Sequence, residues 1–212
     1  MYLFSRTARL TQGGRVADKL AGAVELTGLV SKASGLPIGL YGTEFSPALG
    51  TIVWSVFVED LPTLQAAGDA MLADDGVQDF IAAEGESLFA DGMDDSLLEV
   101  LHGVPDPERE INFVSGIQSA VGPGRLRQGV GLGIELAEKS SAISGETCLF
   151  VVAMTGPFGG VGWLTGYPDL VSLQEGQAAI FSDPAMLDLI DGPAAEVFPP
   201  QGTTSTIYRR IV

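Results

Sequence analysis

The stretch Asp60-Leu61-Pro62-Thr63-Leu64-Gln65 returns 109 positions later as Asp169-Leu170-Val171-Ser172-Leu173-Gln174. Both copies read as the opening of a helix. An aspartate ahead of leucines at helical spacing offers its carboxylate to the first unpaired amide groups. Pro62 sits in the first turn, where its missing N–H costs nothing. Moving outward, Asp74, Asp79 and Ile81 return at the same offset as Asp183, Asp188 and Ile190. In the other direction, Trp54 returns as Trp163 and Gly50 as Gly159. Further back the offset becomes 110, pairing Gly14-Arg15 with Gly124-Arg125, Val24-Glu25-Leu26 with Ile134-Glu135-Leu136, Ser31 with Ser141, and Gly35 with Gly145. A one-residue difference in a loop accounts for the change. Matches this numerous, in order and with one indel, make the chain a tandem duplication.

The pattern between these anchors repeats as well. In the first copy, residues 2–9, 38–45, 51–58 and 96–102 are rich in β-branched, aromatic and other apolar residues and read as strands. Ser46-Pro47 closes the second of them. Residues 15–34 have apolar positions near helical spacing and stop at Gly35; residues 60–73 and 76–83 read as two further helices. The second copy follows the same order, with strands over 111–119, 147–155, 160–167 and 204–211 and helices over 125–143, 170–182 and 184–190. The expected fold class is therefore α+β: two tandem ferredoxin-like βαββαβ repeats, residues 1–103 and 111–212, joined by a linker over 104–110 that contains Pro105 and Pro107. In 51–58 both Ile52/Trp54/Val56/Val58 and Val53/Phe57 are apolar. Helices on one side need only one apolar face, so the other face must meet a second sheet, a ligand or another chain.

The composition narrows the functional classes. Apolar residues make up 46% and mean hydropathy is +0.29, yet the longest unbroken apolar run is Cys148–Met154, far short of the roughly 20 residues of a spanning helix. The opening residues carry Arg6 and Arg9 and read as a strand rather than a signal peptide. Together with the single Cys148, this fits a reducing, cytoplasmic location. The formal charge is −16, and residues 59–110 hold fifteen acidic residues against the single basic Arg109. Such a surface repels nucleic acid and anionic lipid, whose binding needs Lys and Arg against phosphate. Neither nucleic acid nor membrane is an expected partner. The acidic stretch reads as a solvated face, with a basic partner protein or a cation as the sharper alternatives.

The order βαββαβ, with the phrase Asp169-Leu-x-x-Leu-Gln174 followed by Ser182-Asp-Pro-Ala-Met186, resembles the dimeric α/β-barrel superfamily, which includes antibiotic-biosynthesis monooxygenase-like and NIPSNAP-like proteins. The resemblance covers nearly the whole chain. It implies two ferredoxin-like sheets packed face to face as a barrel within one chain, with pseudo-twofold symmetry. It rests on topology and helix phrasing, not on a catalytic signature, and the fold hosts many activities.

Few residues invite chemistry. His102 is the only histidine and ends a strand. It could act as a general base, since its pKa lies near working pH, or be a structural strand-end residue. The resemblance adds an axial haem ligand as a third role. Its counterpart in the second copy lies near Tyr208-Arg209-Arg210, without a histidine. Trp54 and Trp163 either fill the core under their own helices or flank a cavity for a planar apolar ligand. Glu25 and Glu135 are helix-surface residues, or buried carboxylates that pair with Arg15 or Arg125 or serve as a base. Gly129, Gly131 and Gly133 fall inside a helix, so they do not form a dinucleotide fingerprint; close packing is the better reason for them. Asp91, Asp94 and Asp95 read as a solvated acidic loop lacking the spacing of a calcium loop.

Two functional readings follow. In one, the barrel holds an apolar small molecule, and the implied chemistry is cofactor-independent oxygenation or isomerisation of an aromatic or polyketide-like compound. Trp54, Trp163 and Tyr41 are then its ligand-binding residues and His102 its catalytic candidate, with no cofactor and no metal. In the other, the chain is a non-catalytic structural or partner-binding protein with a packed barrel and an acidic interaction face. A homo-oligomer is compatible with both. A cavity of about 300 Å³ or more at the tryptophans would favour the first reading.

Overall fold

The computed structural model describes residues 1–45 and 49–212, so the strand closure expected at Ser46-Pro47 lies outside the described residues. The first repeat contains β1 (Tyr2–Leu10), α1 (Val16–Ser34), β2 (Gly39–Glu44), β3 (Thr51–Val58), α2 (Leu61–Ala73), α3 (Asp75–Leu88) and β4 (Phe89–His102). The second contains β5 (Phe113–Ala120), α4 (Leu126–Ser144), β6 (Cys148–Ala153), β7 (Gly160–Tyr167), α5 (Leu170–Ser182), α6 (Pro184–Leu189) and β8 (Thr204–Arg210). The strands run β1-β3-β2-β8-β5-β7-β6-β4 and close into a barrel. Read from β4, the order is β4-β1-β3-β2 and then β8-β5-β7-β6, the same ferredoxin-like order twice. Among the described residues, no helix is long and apolar enough to cross a membrane.

The duplicated motifs act as local start and stop signals. Asp60 accepts a hydrogen bond from the Thr63 amide at 2.8 Å, and Asp169 one from the Ser172 amide at 2.7 Å. Asp74 and Asp183 cap the next helices in the same way, through the amides of Val77 and Met186. Each cap satisfies a donor that the helix itself cannot. Gly35 and Gly145 end α1 and α4 in the left-handed conformation, at φ 72° and 74°, and return their N–H groups to Ser31 and Ser141. That conformation is open to glycine without steric cost.

Chain contacts divide the protein into one unit of residues 1–97 with 210–212 and another of residues 98–209. In the first unit, β3 lies between β1 and β2 in antiparallel register, with Trp54 opposite both Arg6 and Leu40. Its core joins Leu40, Ile52 and Trp54 to Ala23 and Leu26 of α1, Val77 of α3 and Phe89. In the second unit, β7 lies between β5 and β6, with Trp163 opposite Ile117 and Phe150. Its core joins Phe150, Val161 and Trp163 to Leu132 and Ala137 of α4, Val197 and Phe198.

Three elements differ from the sequence expectation. The strand expected over 96–102 begins at Phe89, so the acidic segment read as a loop is part of β4. Asp95 there makes a two-point ion pair with Arg6 of β1, at 2.7 and 2.8 Å, which holds a charged residue in a strand. The helix expected over 76–83 runs to Leu88. The helix expected over 184–190 stops at Leu189 and passes into a π-helical turn, Ile190–Ala194, containing Pro193, which a three-residue helix, Ala195–Val197, follows. Proline has no N–H for the regular ladder, and the widened turn accommodates it.

The helix glycines of the second repeat have a packing role. A Cβ on Gly129 would lie 2.5 Å from Val121, and one on Gly133 would lie 2.3 Å from the Phe150 ring. Gly131 has open space around it.

Candidate functional site

Each unit's sheet has a face packed under helices and a face turned away from them. Side chains alternate along a strand, and directly paired residues share a face. In the first unit, Ala8, Leu40, Ile52 and Trp54 belong to the helix-covered core. Leu3, Ser5, Thr7, Gly39, Tyr41, Val53 and Ser55 therefore lie on the other face. Apart from the buried Leu3, these positions are half-buried, whereas Ile52, Trp54, Val56 and Val58 are buried.

Small polar groups surround the Tyr41 ring on this open face. Ser5 and Ser55 share a 3.0 Å hydrogen bond between hydroxyls. Tyr41 lies across Val53 from Thr7, and its ring leans over Gly39, where a Cβ would come within 2.9 Å of it. Burial raises the pKa of the Tyr41 hydroxyl, and the positive charge of Arg210 opposes that rise. Tyr41 is thus a neutral phenol at working pH, able to donate or accept one hydrogen bond.

The matching face of the second unit is apolar on β6 and β7 and carries Tyr208 and Thr206 on β8. Leu149 and Val151 are buried there, the latter at 1% exposure. Tyr208 and Leu164 cover Gly116, at 3.1 and 3.3 Å from where its Cβ would lie. Val151 stands 3.2 Å from the corresponding point at Gly162. Burial raises the Tyr208 hydroxyl pKa as well.

Of the candidate site residues Tyr41, Trp54, Trp163 and His102, only Tyr41 is on a face turned away from helices. The Trp54 indole donates to Thr27 Oγ1 of α1 at 2.9 Å and meets the Phe89 ring edge-on at 5.4 Å. The Trp163 indole donates to the Gly133 carbonyl of α4 at 2.9 Å and meets Phe198 edge-on at 5.1 Å. Each tryptophan fills its own unit's core, the core alternative of the sequence reading. Phe89 and Phe198 went unread, although they keep the same 109-residue offset as the tryptophans. His102 is half-buried opposite Phe150, on the helix side, with Nδ1 3.9 Å from Glu138 Oε1 of α4. Glu25 and Glu135 are exposed on their helices, and Arg15 and Arg125 instead reach Asp18 and Glu196.

A cleft of about 340 Å³ opens in the helical layer of the second unit, where Ser144 and Glu146 meet Ser172, Glu175 and Gly176 of α5. No tryptophan lines it. Its Glu146 side chain is 11% exposed and held by Arg109, whose Nη2 lies 2.5 Å from the carboxylate. Beneath it, burial pushes the Tyr167 hydroxyl up to about 12, with Cys148 and Glu146 adding to the rise. Burial likewise raises the Cys148 thiol, an inert form of cysteine. The ion pair anchors the linker and leaves the carboxylate already neutralised.

The sequence matches no protein-family model and no curated protein. Solved structures do match. One is a Fusobacterium nucleatum protein provisionally described as a monooxygenase, at TM-score 0.70 and 11% identity, covering 100% of this chain and 92% of that one. A second is an anthrone oxidase-like protein, at TM-score 0.69 and 9% identity, covering 100% and 91%. A third, from Lactobacillus acidophilus and also provisionally described as a monooxygenase, has TM-score 0.64 and 12% identity, covering 99% and 93%. At these identities the shared property is the fold, the dimeric α/β barrel, here built from one chain.

Proposed function

We propose that this protein binds an apolar aromatic or polyketide-like small molecule on the open sheet face of its first unit, in a setting suited to cofactor-independent oxygenase or isomerase chemistry. The observation that carries the reading is the character of that face. Tyr41, Ser5, Ser55 and Thr7 stay half-buried, whereas Leu40 and the helix-side residues of β3, Ile52, Trp54, Val56 and Val58, are buried. A few convergent hydroxyls beside Val53 and Leu3 match the usual make-up of a small-molecule site. Oxygenation without a metal requires a substrate that forms a stabilised carbanion and itself gives electrons to oxygen. The protein then supplies shape, exclusion of water and a hydrogen-bonding group, which Tyr41 can provide. The names of the anthrone oxidase-like and monooxygenase-described neighbours support the same class.

The test is oxygen uptake with anthrone as substrate, alongside calorimetric titration with non-reactive anthraquinone. Binding that weakens in Tyr41→Phe and Ser55→Val supports the reading. Absence of both uptake and binding removes it. A second reading, a packed barrel without catalysis, is favoured by the burial of Leu149 and Val151 in the second unit. It predicts no binding and no uptake.

A further inference from the structure

The chain ends beside β2. The Ile211 amide donates to the Leu40 carbonyl at 2.7 Å, and the Leu40 amide donates to Val212 at 2.8 Å. Ile211 turns toward the helix-covered core, with its Cδ1 3.4 Å from where a Cβ of Gly42 would lie. Successive residues of an extended chain point to opposite faces, so Arg210 points to the face that carries Tyr41. Its charge is felt at the Tyr41 hydroxyl.

Arg210 has no carboxylate partner among the described residues, whereas Arg6, Arg15, Arg109 and Arg125 each have one. Acceptors are plentiful in a chain with 27 acidic residues against 11 Lys and Arg. Arg9 and Arg127 are also without an ion pair among the described residues; all three arginines are exposed, with Arg9 near the end of β1 and Arg127 in the first turn of α4. Arg210 alone of the three stands beside a half-buried phenol.

We infer that Arg210, together with the Tyr41 hydroxyl, receives an oxyanion carried by the aromatic ligand, either a carboxylate or an enolate or phenolate oxygen. The inference rests on the ligand reading above and names the charge of the ligand. A guanidinium offers paired N–H donors in a fixed plane, and the neutral phenol adds one more donor to the same oxygen. Val53 and Leu3 remain for the apolar body. An enolisable substrate would gain most, because its negative charge would develop next to a fixed positive one.

Calorimetric titration of the full chain with 2-naphthoate and with 2-naphthalenemethanol tests this, since the two share a ring system and differ in charge. The acid is expected to bind at least about tenfold more tightly. Arg210→Met is expected to abolish that preference while leaving the affinity for the alcohol unchanged. Arg210→Lys should keep part of it, and Arg209→Met, on the opposite face, all of it. Equal binding of acid and alcohol to the unmodified protein, or a preference that survives Arg210→Met, overturns the inference and leaves the ligand reading standing. Binding of neither compound overturns both.

Discussion

The two units solve the same packing problem with different side chains. In the second, the Trp163 indole bonds directly to the carbonyl of Gly133. In the first, the equivalent carbonyl is that of Ala23, and Thr27 stands between: it accepts from Trp54 and donates to Ala23 at 2.7 Å. Thr27 corresponds to Ala137, which has no hydroxyl to relay. The volumes are exchanged as well. Ala23 with Leu40 in one unit corresponds to Gly133 with Phe150 in the other, a smaller helix residue facing a larger strand residue. At the next position, Lys19 is 9% exposed and donates to the carbonyls of Thr11 and Gly13, whereas the second unit packs Val121 onto Gly129. The conserved quantity is a filled volume and a satisfied donor, not a residue type. The faces turned away from the helices follow no such rule: Ser5, Thr7 and Ser55 hold the first where Leu149, Val151 and Leu164 hold the second. This is where a duplicated chain is free to differentiate.

Exchanging the solutions tests whether they are alternatives. Gly133→Ala puts a methyl into the Phe150 ring and should cost about 1–3 kcal/mol. Adding Phe150→Leu recreates the first unit's combination and should recover much of that loss in urea denaturation. No recovery would break the equivalence drawn here. Lys19→Met removes the ammonium from two carbonyls and should cost about 1.5–3 kcal/mol by the same measurement. Thr27→Val leaves the Trp54 N–H without an acceptor and should cost about 1–2 kcal/mol, with a shift in tryptophan emission. Ala137→Ser in the second unit should leave the direct Trp163 bond intact.

The smallest effect concerns pH and both units alike. Hydrogen bonds from Thr63 and Ser172 lower the pKa of the exposed caps Asp60 and Asp169. A lowered folded-state pKa means that the unfolded chain takes up protons first as pH falls. The stabilisation is therefore complete above about pH 4, the ordinary aspartate range, and is lost below it. The double variant Asp60→Asn, Asp169→Asn should flatten the dependence of melting temperature on pH below 4. An unchanged acid limb would show that the caps do not titrate with folding.

Much of the fold was legible because its signals are local. Asp60, Asp74, Asp169 and Asp183 are read by amide groups three residues away, and Gly35 and Gly145 by their own φ angles. The length of β4 was not legible. Asp94 and Asp95 look like a loop until Arg6, 89 residues distant from Asp95, pairs with the latter. The site was less legible still. Tyr41 is readable as a ligand-binding candidate, but the placing of Ser5, Ser55 and Arg210 beside it is not, because nothing in a strand's own residues says which face a helix will cover.

The sequence by itself determined the duplication, the order of elements and the positions where helices begin and end. These depend on spacing, capping and the αL preference of glycine, all settled within a few residues. The tertiary structure alone decided that Trp54 and Trp163 fill cores, that His102 faces a helix, and that Tyr41 and Arg210 share an open face. Residues 51–58 are apolar on both sides, so their own pattern leaves the choice of face undecided. That choice follows from the partner that buries more apolar surface, and the partner comes from elsewhere in the chain.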